Sequence, residues 1–186
     1  MKILFILIAL CLSITTKEKE KEFNFNWFQN DYMVEPKQVE VARYDTRYVR
    51  YINARTFKFN RTCVAHNFTI NFRITVGKDL EVISQTYKFA SNEYRLFPMR
   101  VGLKVCKGVA ADILGISGTK RCGNFTGCAF VKDRTYHTCN NVIKQEKLPP
   151  FLPTGDFMME WIFMFKDVEL YVLHAYGRVY RNFVTN

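Results

Sequence analysis

The chain has 186 residues, 48% of them hydrophobic, with 27 Lys and Arg against 17 Asp and Glu for a formal net charge of +10. That length suits one domain with its own core, and no Gly/Pro/Ser-rich linker divides it. The basic residues are spread thinly rather than gathered into a block, which argues for a solvated basic surface and against a nucleic-acid footprint. A weaker reading has the basic rim attract anionic head groups, sulfated glycans or a membrane surface.

Met1-Lys2 is followed by the apolar run Ile3 to Leu12, well short of the ~20 residues that a spanning helix needs. A positive start, a brief apolar stretch and then Ser13, Thr15 and the polar Lys17-Glu18-Lys19-Glu20 describe a cleavable signal peptide over residues 1–15, with the cut near Thr15 or Thr16. The protein is therefore expected to be secreted, and losing Lys2 takes the charge from +10 to +9. Residues 16–33 read as a polar and aromatic segment, and residues 34–186 as a single domain.

Runs rich in β-branched and aromatic residues predict strands at Val39 to Tyr44, Tyr48 to Asn60, Val64 to Val76, Leu80 to Phe89, Tyr94 to Val101, Tyr136 to Ile143, Phe157 to Phe165 and Val168 to Val184. Two of these alternate clearly. In the third, Phe68, Ile70, Phe72 and Ile74 share one face while Asn67 points the other way. In the seventh, Phe157, Met159, Trp161, Phe163 and Phe165 share a face, with Met158, Glu160, Ile162 and Met164 opposite. The face with Trp161 is the better candidate for the interior. Turn-forming sets such as Gly77-Lys78-Asp79, Ser91-Asn92-Glu93 and Pro153-Thr154-Gly155-Asp156 are spaced as hairpin connections, so an antiparallel sandwich is the natural solution. Asp156 is expected to hydrogen-bond its own turn backbone. Only Val105 to Leu114 has the spacing of a short helix.

Cys11 leaves with the signal peptide, so Cys63, Cys106, Cys122, Cys128 and Cys139 remain in an oxidising compartment: two bridges and one spare thiol. No Cys-x-x-Cys pair or neighbouring His completes a zinc site, and no metal or cofactor is expected. Three sequons, at Asn60, Asn67 and Asn124, are usable glycosylation sites in a secreted chain. His66, His137 and His174 are the only imidazoles, and none sits in a nucleophile-and-base motif, so no enzymatic activity is expected. His66 lies on the inward parity of its strand, where a hydrogen-bonded structural histidine is the common finding. The chain's 17 Phe and 10 Tyr fill a core well but also line apolar cavities, and the pattern alone favours the packed core.

Several segments resemble the insect branch of the ML-type lipid-recognition family, secreted proteins related to myeloid differentiation protein two, and especially its chemosensory B-type members. They are Lys58-Phe59-Asn60-Arg61-Thr62, Asn92-Glu93-Tyr94-Arg95-Leu96-Phe97 with Cys106-Lys107 following, Cys128-Ala129-Phe130 with Tyr136 shortly after, and Leu152-Pro153-Thr154-Gly155-Asp156-Phe157. The resemblance runs from about Val39 to Val184. It implies an immunoglobulin-like two-sheet antiparallel β-sandwich that opens so that an apolar ligand slides between the sheets, and a function of binding without chemistry. The Phe68, Ile70, Phe72, Ile74 face and the Phe157, Met159, Trp161, Phe163, Phe165 face would then line the pocket. It also implies a bridge between Cys106 and Cys128. The family's usual step after the second of these cysteines reads Cys128-Ala129-Phe130 here, and Cys63, Cys122 and Cys139 have no counterpart in the pattern.

Two readings result. One is a carrier or co-receptor holding a lipid, cuticular hydrocarbon or pheromone-like ligand between the sheets, with a membrane receptor as partner. The other is a secreted interaction module with a solid core, acting through its basic, glycosylated surface on a protein or membrane. The carrier needs ~300 Å³ or more of room between the sheets, whereas the module packs to ordinary interior density. The oligomeric state stays open.

Overall fold

Alternating apolar and polar residues build eight strands in the computed structural model, which describes residues 31–61, 63–113, 122–125 and 128–181. They are β1 (Met33–Tyr44), β2 (Val49–Lys58), β3 (Val64–Phe72), β4 (Glu81–Ala90), β5 (Glu93–Lys104), β6 (Thr135–Asn141), β7 (Gly155–Phe165) and β8 (Val168–Tyr180). A five-stranded sheet runs β1-β8-β7-β4-β5 and a three-stranded sheet runs β2-β3-β6, with every pairing antiparallel. The fold is the immunoglobulin-like two-sheet sandwich expected from the sequence, with one short helix, α1 (Val105–Ala110). Among the described residues no helix is long and apolar enough to cross a membrane. The expected signal peptide and the bulk of the 16–33 segment lie outside the described residues.

Two hairpins, β4–β5 and β7–β8, close with two-residue turns, Ser91-Asn92 and Lys166-Asp167, whose four residues all have positive φ. Such a turn matches the right-handed twist of the strands, and its left-handed backbone is here carried without glycine. The β2–β3 connection also joins neighbours within one sheet, and the remaining connections carry the chain between sheets. At the β1–β2 corner the Asp45 carbonyl accepts from the Tyr48 and Val49 amides, and its carboxylate accepts from the Arg47 amide.

Three elements depart from the sequence expectation. β3 ends at Phe72 rather than Val76, so Ile74 packs against the core from the segment that follows the strand. β1 begins at Met33, six residues before the predicted Val39, and carries Pro36 inside it. Pro36 reads as a strand breaker, but β1 is an edge strand with register shifts after Pro36 and after Val41, where a missing N–H disturbs no ladder on the open side. Helix α1 stops at Ala110 rather than running to Leu114: Asp112 adopts φ 51°, outside helical space, and Leu114 lies outside the described residues.

The main core lies between the sheets. At one end, Val49, Phe72, Val76, Leu80, Phe130, Tyr136, Leu170 and Tyr171 are buried together. Phe130 meets Phe72 edge-on at 5.1 Å and Tyr136 edge-on at 5.1 Å, and Phe163 stacks on Tyr171 at 4.3 Å. A second, smaller cluster of Tyr32, Leu148, Phe157 and Val179 closes the opposite end, beneath the segment between β6 and β7.

Candidate functional site

The interior between these two clusters is framed by strand alternation. From β2 it receives Ile52, Ala54 and Thr56, which stand opposite Ile70, Phe68 and His66 of β3 in the antiparallel register. From the larger sheet come Val39 and Val41 of β1, Leu173 and Ala175 of β8, and Met159 and Trp161 of β7, all part of or packed against the main core. Ser84 and Thr86 of β4 pair with Trp161 and Met159, which places them on the same inner face. Alanine, serine and threonine therefore stand among the large side chains of this stretch.

The structure brings Phe68, Ile70, Phe72, Ile74, Met159, Trp161, Phe163 and Phe165 into one apolar body. Phe157 is separate: it belongs to the second cluster and meets Phe97 edge-on at 5.7 Å. Within the main body, Phe72 is completely buried, whereas Phe68, Ile70, Met159 and Trp161 are only partly buried. These four sit on the facing inner surfaces between the two end clusters.

Beside them, β1 and β2 form the open edges of their respective sheets and leave a groove of about 510 Å³ along the seam. Its floor is the inward set Val39, Val41, Ile52 and Ala54; its rim carries Lys37, Glu40, Asn53 and Arg55. A second groove, of about 460 Å³, lies at the corner formed by the β1–β2 and β7–β8 turns and is mostly charged, with Arg43, Asp45, Arg47, Asp167 and Glu169.

One polar chain bridges the sheets at the seam. The edge amide of Val39 donates to Thr56 Oγ1 at 2.9 Å, and Thr56 Oγ1 lies 2.9 Å from His66 Nδ1. His66 is 4% exposed and its Nε2 has no hydrogen-bond partner among the described residues. Burial holds the imidazole pKa below its ordinary value, because the protonated ring would lose its hydration there. The inward parity of His66 is legible in the sequence. Its partners, one strand and one sheet away, are not.

The other histidines face outward. His174 is 3.4 Å from Glu160 on the outer face of the five-stranded sheet, within a network that links Glu40 to Tyr176, Tyr87 to Glu160 and Arg43 to both Glu160 and Glu169. The Tyr176 hydroxyl is pushed up to about 12 by burial and by the Glu40 carboxylate that it donates to. His137 is exposed on β6, where its amide donates to Asn124. Among the described residues no three His, Cys, Asp or Glu side chains gather as a metal site. Asp156 behaves differently from the turn cap expected of it. Its carboxylate accepts from Lys37 of β1 at 2.6 Å and from Arg178 of β8 at 2.9 Å, tying three adjacent strands, because residue 156 lies inside β7 rather than in the turn.

Disulfides join Cys106 to Cys128 and Cys122 to Cys139, leaving Cys63 as a free thiol. The first ties α1 to the segment leading to Phe130; the second fastens the 122–125 segment alongside β6, where Gly123 bridges Thr138 and Phe125 packs against the core. All three sequon asparagines are outside the core. Asn60 is in the β2–β3 turn, Asn67 on the outer face of β3 accepts from the Asn140 amide at 2.9 Å, and Asn124 exchanges hydrogen bonds with the backbone of Thr135 and His137. Thr62 and Thr126 of two sequons lie outside the described residues.

Residues 82–159, from β4 into β7, match a family described as "Protein of unknown function (DUF1091)". No curated protein matches the chain. Among solved structures, the chain is similar to the crystal structure of a Niemann-Pick type C2 protein from Japanese carpenter ant, at 12% identity and a TM-score of 0.37, over 76% of this chain and 98% of that one.

Proposed function

We propose that this protein is a secreted, non-enzymatic binding protein that holds a lipid or other hydrophobic small molecule between its two sheets. The observation that carries the reading is the state of Phe68, Ile70, Met159 and Trp161. They face one another across the sandwich, yet remain incompletely buried, beside the small side chains of Ala54, Ser84 and Ala175. An acyl or terpenoid chain lying there would bury both apolar faces without needing polar contacts at every point. The groove between β1 and β2 supplies an approach, since its apolar floor continues into the same inner faces and its rim is polar.

The sequence resemblance to ML-type proteins supports the same reading and extends it to a chemosensory setting, with a pheromone-like or cuticular hydrocarbon ligand and a membrane receptor. Native mass spectrometry of the protein secreted from insect cells, followed by solvent extraction, tests it. A stoichiometric lipid or hydrocarbon adduct is the expected result. A clean unliganded mass that also refuses a panel of fatty acids and hydrocarbons would leave the surface-acting module instead. That second reading has one observation in its favour: Phe89, Tyr94 and Leu96 of the β4–β5 hairpin are exposed together, Leu96 by 68%.

A further inference from the structure

Nε2 of His66 is a buried polar atom on inner faces whose other polar groups are those of Thr56, Ser84 and Thr86, and among the described residues it has no partner. Thr56 Oγ1 accepts the proton of the Val39 amide, so its own hydroxyl hydrogen is free to be given to His66 Nδ1. In that arrangement Nδ1 is the acceptor and the neutral ring carries its proton on Nε2. Nε2 is shielded from solvent and has no partner among the described residues, so a hydrogen there donates to none of them. An unpaired buried donor costs free energy that any acceptor brought to it would recover.

The surroundings say which acceptor. His66 shares the inner face of β3 with Phe68 and Ile70, and it stands directly behind Thr56, which lines the groove at the seam. A ligand lying along Phe68 and Trp161 would therefore end near the imidazole. We propose that His66 Nε2 is the polar anchor of the inter-sheet site, donating to an oxygen of the ligand, so that the protein selects apolar chains bearing a carbonyl, ester or hydroxyl oxygen over plain hydrocarbons. An ionised carboxylate fits less well, because a neutral imidazole returns less than the desolvation of a buried charge costs. This inference rests on the interior-binding reading and narrows it from any hydrophobic molecule to an oxygen-bearing one.

The test is displacement of a fluorescent apolar probe by 2-dodecanone and by dodecane, which share a chain and differ in one acceptor. The ratio of ketone to alkane affinity in the wild type should be about tenfold higher than in His66→Leu, the size of one hydrogen bond to a formerly unpaired donor. An equal ratio in the two proteins overturns the anchor, and would leave Nε2 as an orphan or a site for one buried water. If His66→Leu does not fold, the wild type answers alone. The ¹⁵N resonance of His66 Nε2 should move on binding 2-dodecanone and stay in place on binding dodecane, whereas equal responses would reject the proposal. Failure of both ligands to displace the probe is a different result, since it removes the interior-binding reading itself.

Discussion

The two halves of the sandwich interior are built from the same alternating strands but packed differently. Around Phe72 the inner faces meet ring on ring: Phe130, Tyr136, Tyr171 and Phe163 interlock, and Val49, Val76, Leu80 and Leu170 fill the remaining space with essentially no exposure. Further along the same strands, the facing positions are Ala54 against Phe68 in one sheet and Ala175, Trp161 and Ser84 in the other, and the aromatics are left partly uncovered. Strand periodicity decides which way a side chain points, while the volumes that meet across the gap decide whether the space is filled.

The largest effect that can break this comparison is truncation at each end. Phe72→Ala should cost ~3–5 kcal/mol in urea denaturation, because it removes a fully buried ring that two other rings pack against. Trp161→Ala should cost less than ~3 kcal/mol and should weaken retention of an apolar probe. Equal losses for the two variants, with probe binding unchanged, would mean that both halves are solid core.

Next comes the Cys122–Cys139 bridge, which spans 17 residues and holds a segment beside β6 at the edge of the smaller sheet. Replacing both cysteines by serine should lower stability by roughly 2–3 kcal/mol, as expected for closing a loop of that length. Because Phe125 of that segment stacks on Phe130 at the filled end of the interior, probe affinity at a temperature where the variant remains folded should be unaltered. A loss of binding without a loss of stability would instead tie this segment to the site.

A smaller effect is expected at Asp156. Arg178 and Lys37 hold its carboxyl down to about 2, so the ionised form is favoured in the folded protein. Its contribution to stability is then complete above about pH 4 and is lost as pH falls towards 2, through the range in which the folded protein takes up the proton. Its partners are about half exposed and solvent screens them, so Asp156→Asn should cost ~1 kcal/mol or less at pH 6. The denaturation curves of variant and wild type should draw together as pH falls and coincide only below pH 2, and a difference that does not shrink over that range would point to packing rather than charge. The smallest change is at the β4–β5 turn, where Ser91 has φ 53°. Ser91→Gly should raise the melting midpoint slightly, by no more than ~1 kcal/mol in stability, since glycine adopts that backbone at lower cost. It should leave probe binding in the interior untouched.

Much of the architecture is legible in the chain. The period-two runs through Phe68, Ile70 and Phe72 and around Trp161 mark strands and inner faces correctly, because successive Cβ atoms must point to opposite sides of a pleated strand. The early part of β1 is hidden because Pro36 signals a break by local rules, and only its placement on an edge makes it harmless. Asp156 misleads for a related reason: a Gly-Asp pair reads as a turn, but its charge is answered by Lys37 and Arg178, 119 and 22 residues away in the chain.

By itself, then, the sequence determined the strand count, the side-chain parity of β3 and β7 and the all-β class, since these follow from local backbone geometry. Tertiary structure alone decided that β1 pairs with β8, that five strands face three, that Cys122 joins Cys139, and that His66 meets Thr56 with one nitrogen and none of the described residues with the other. Those outcomes depend on which distant segments win the competition to bury their apolar faces together, and that competition is settled only when both layers are in place.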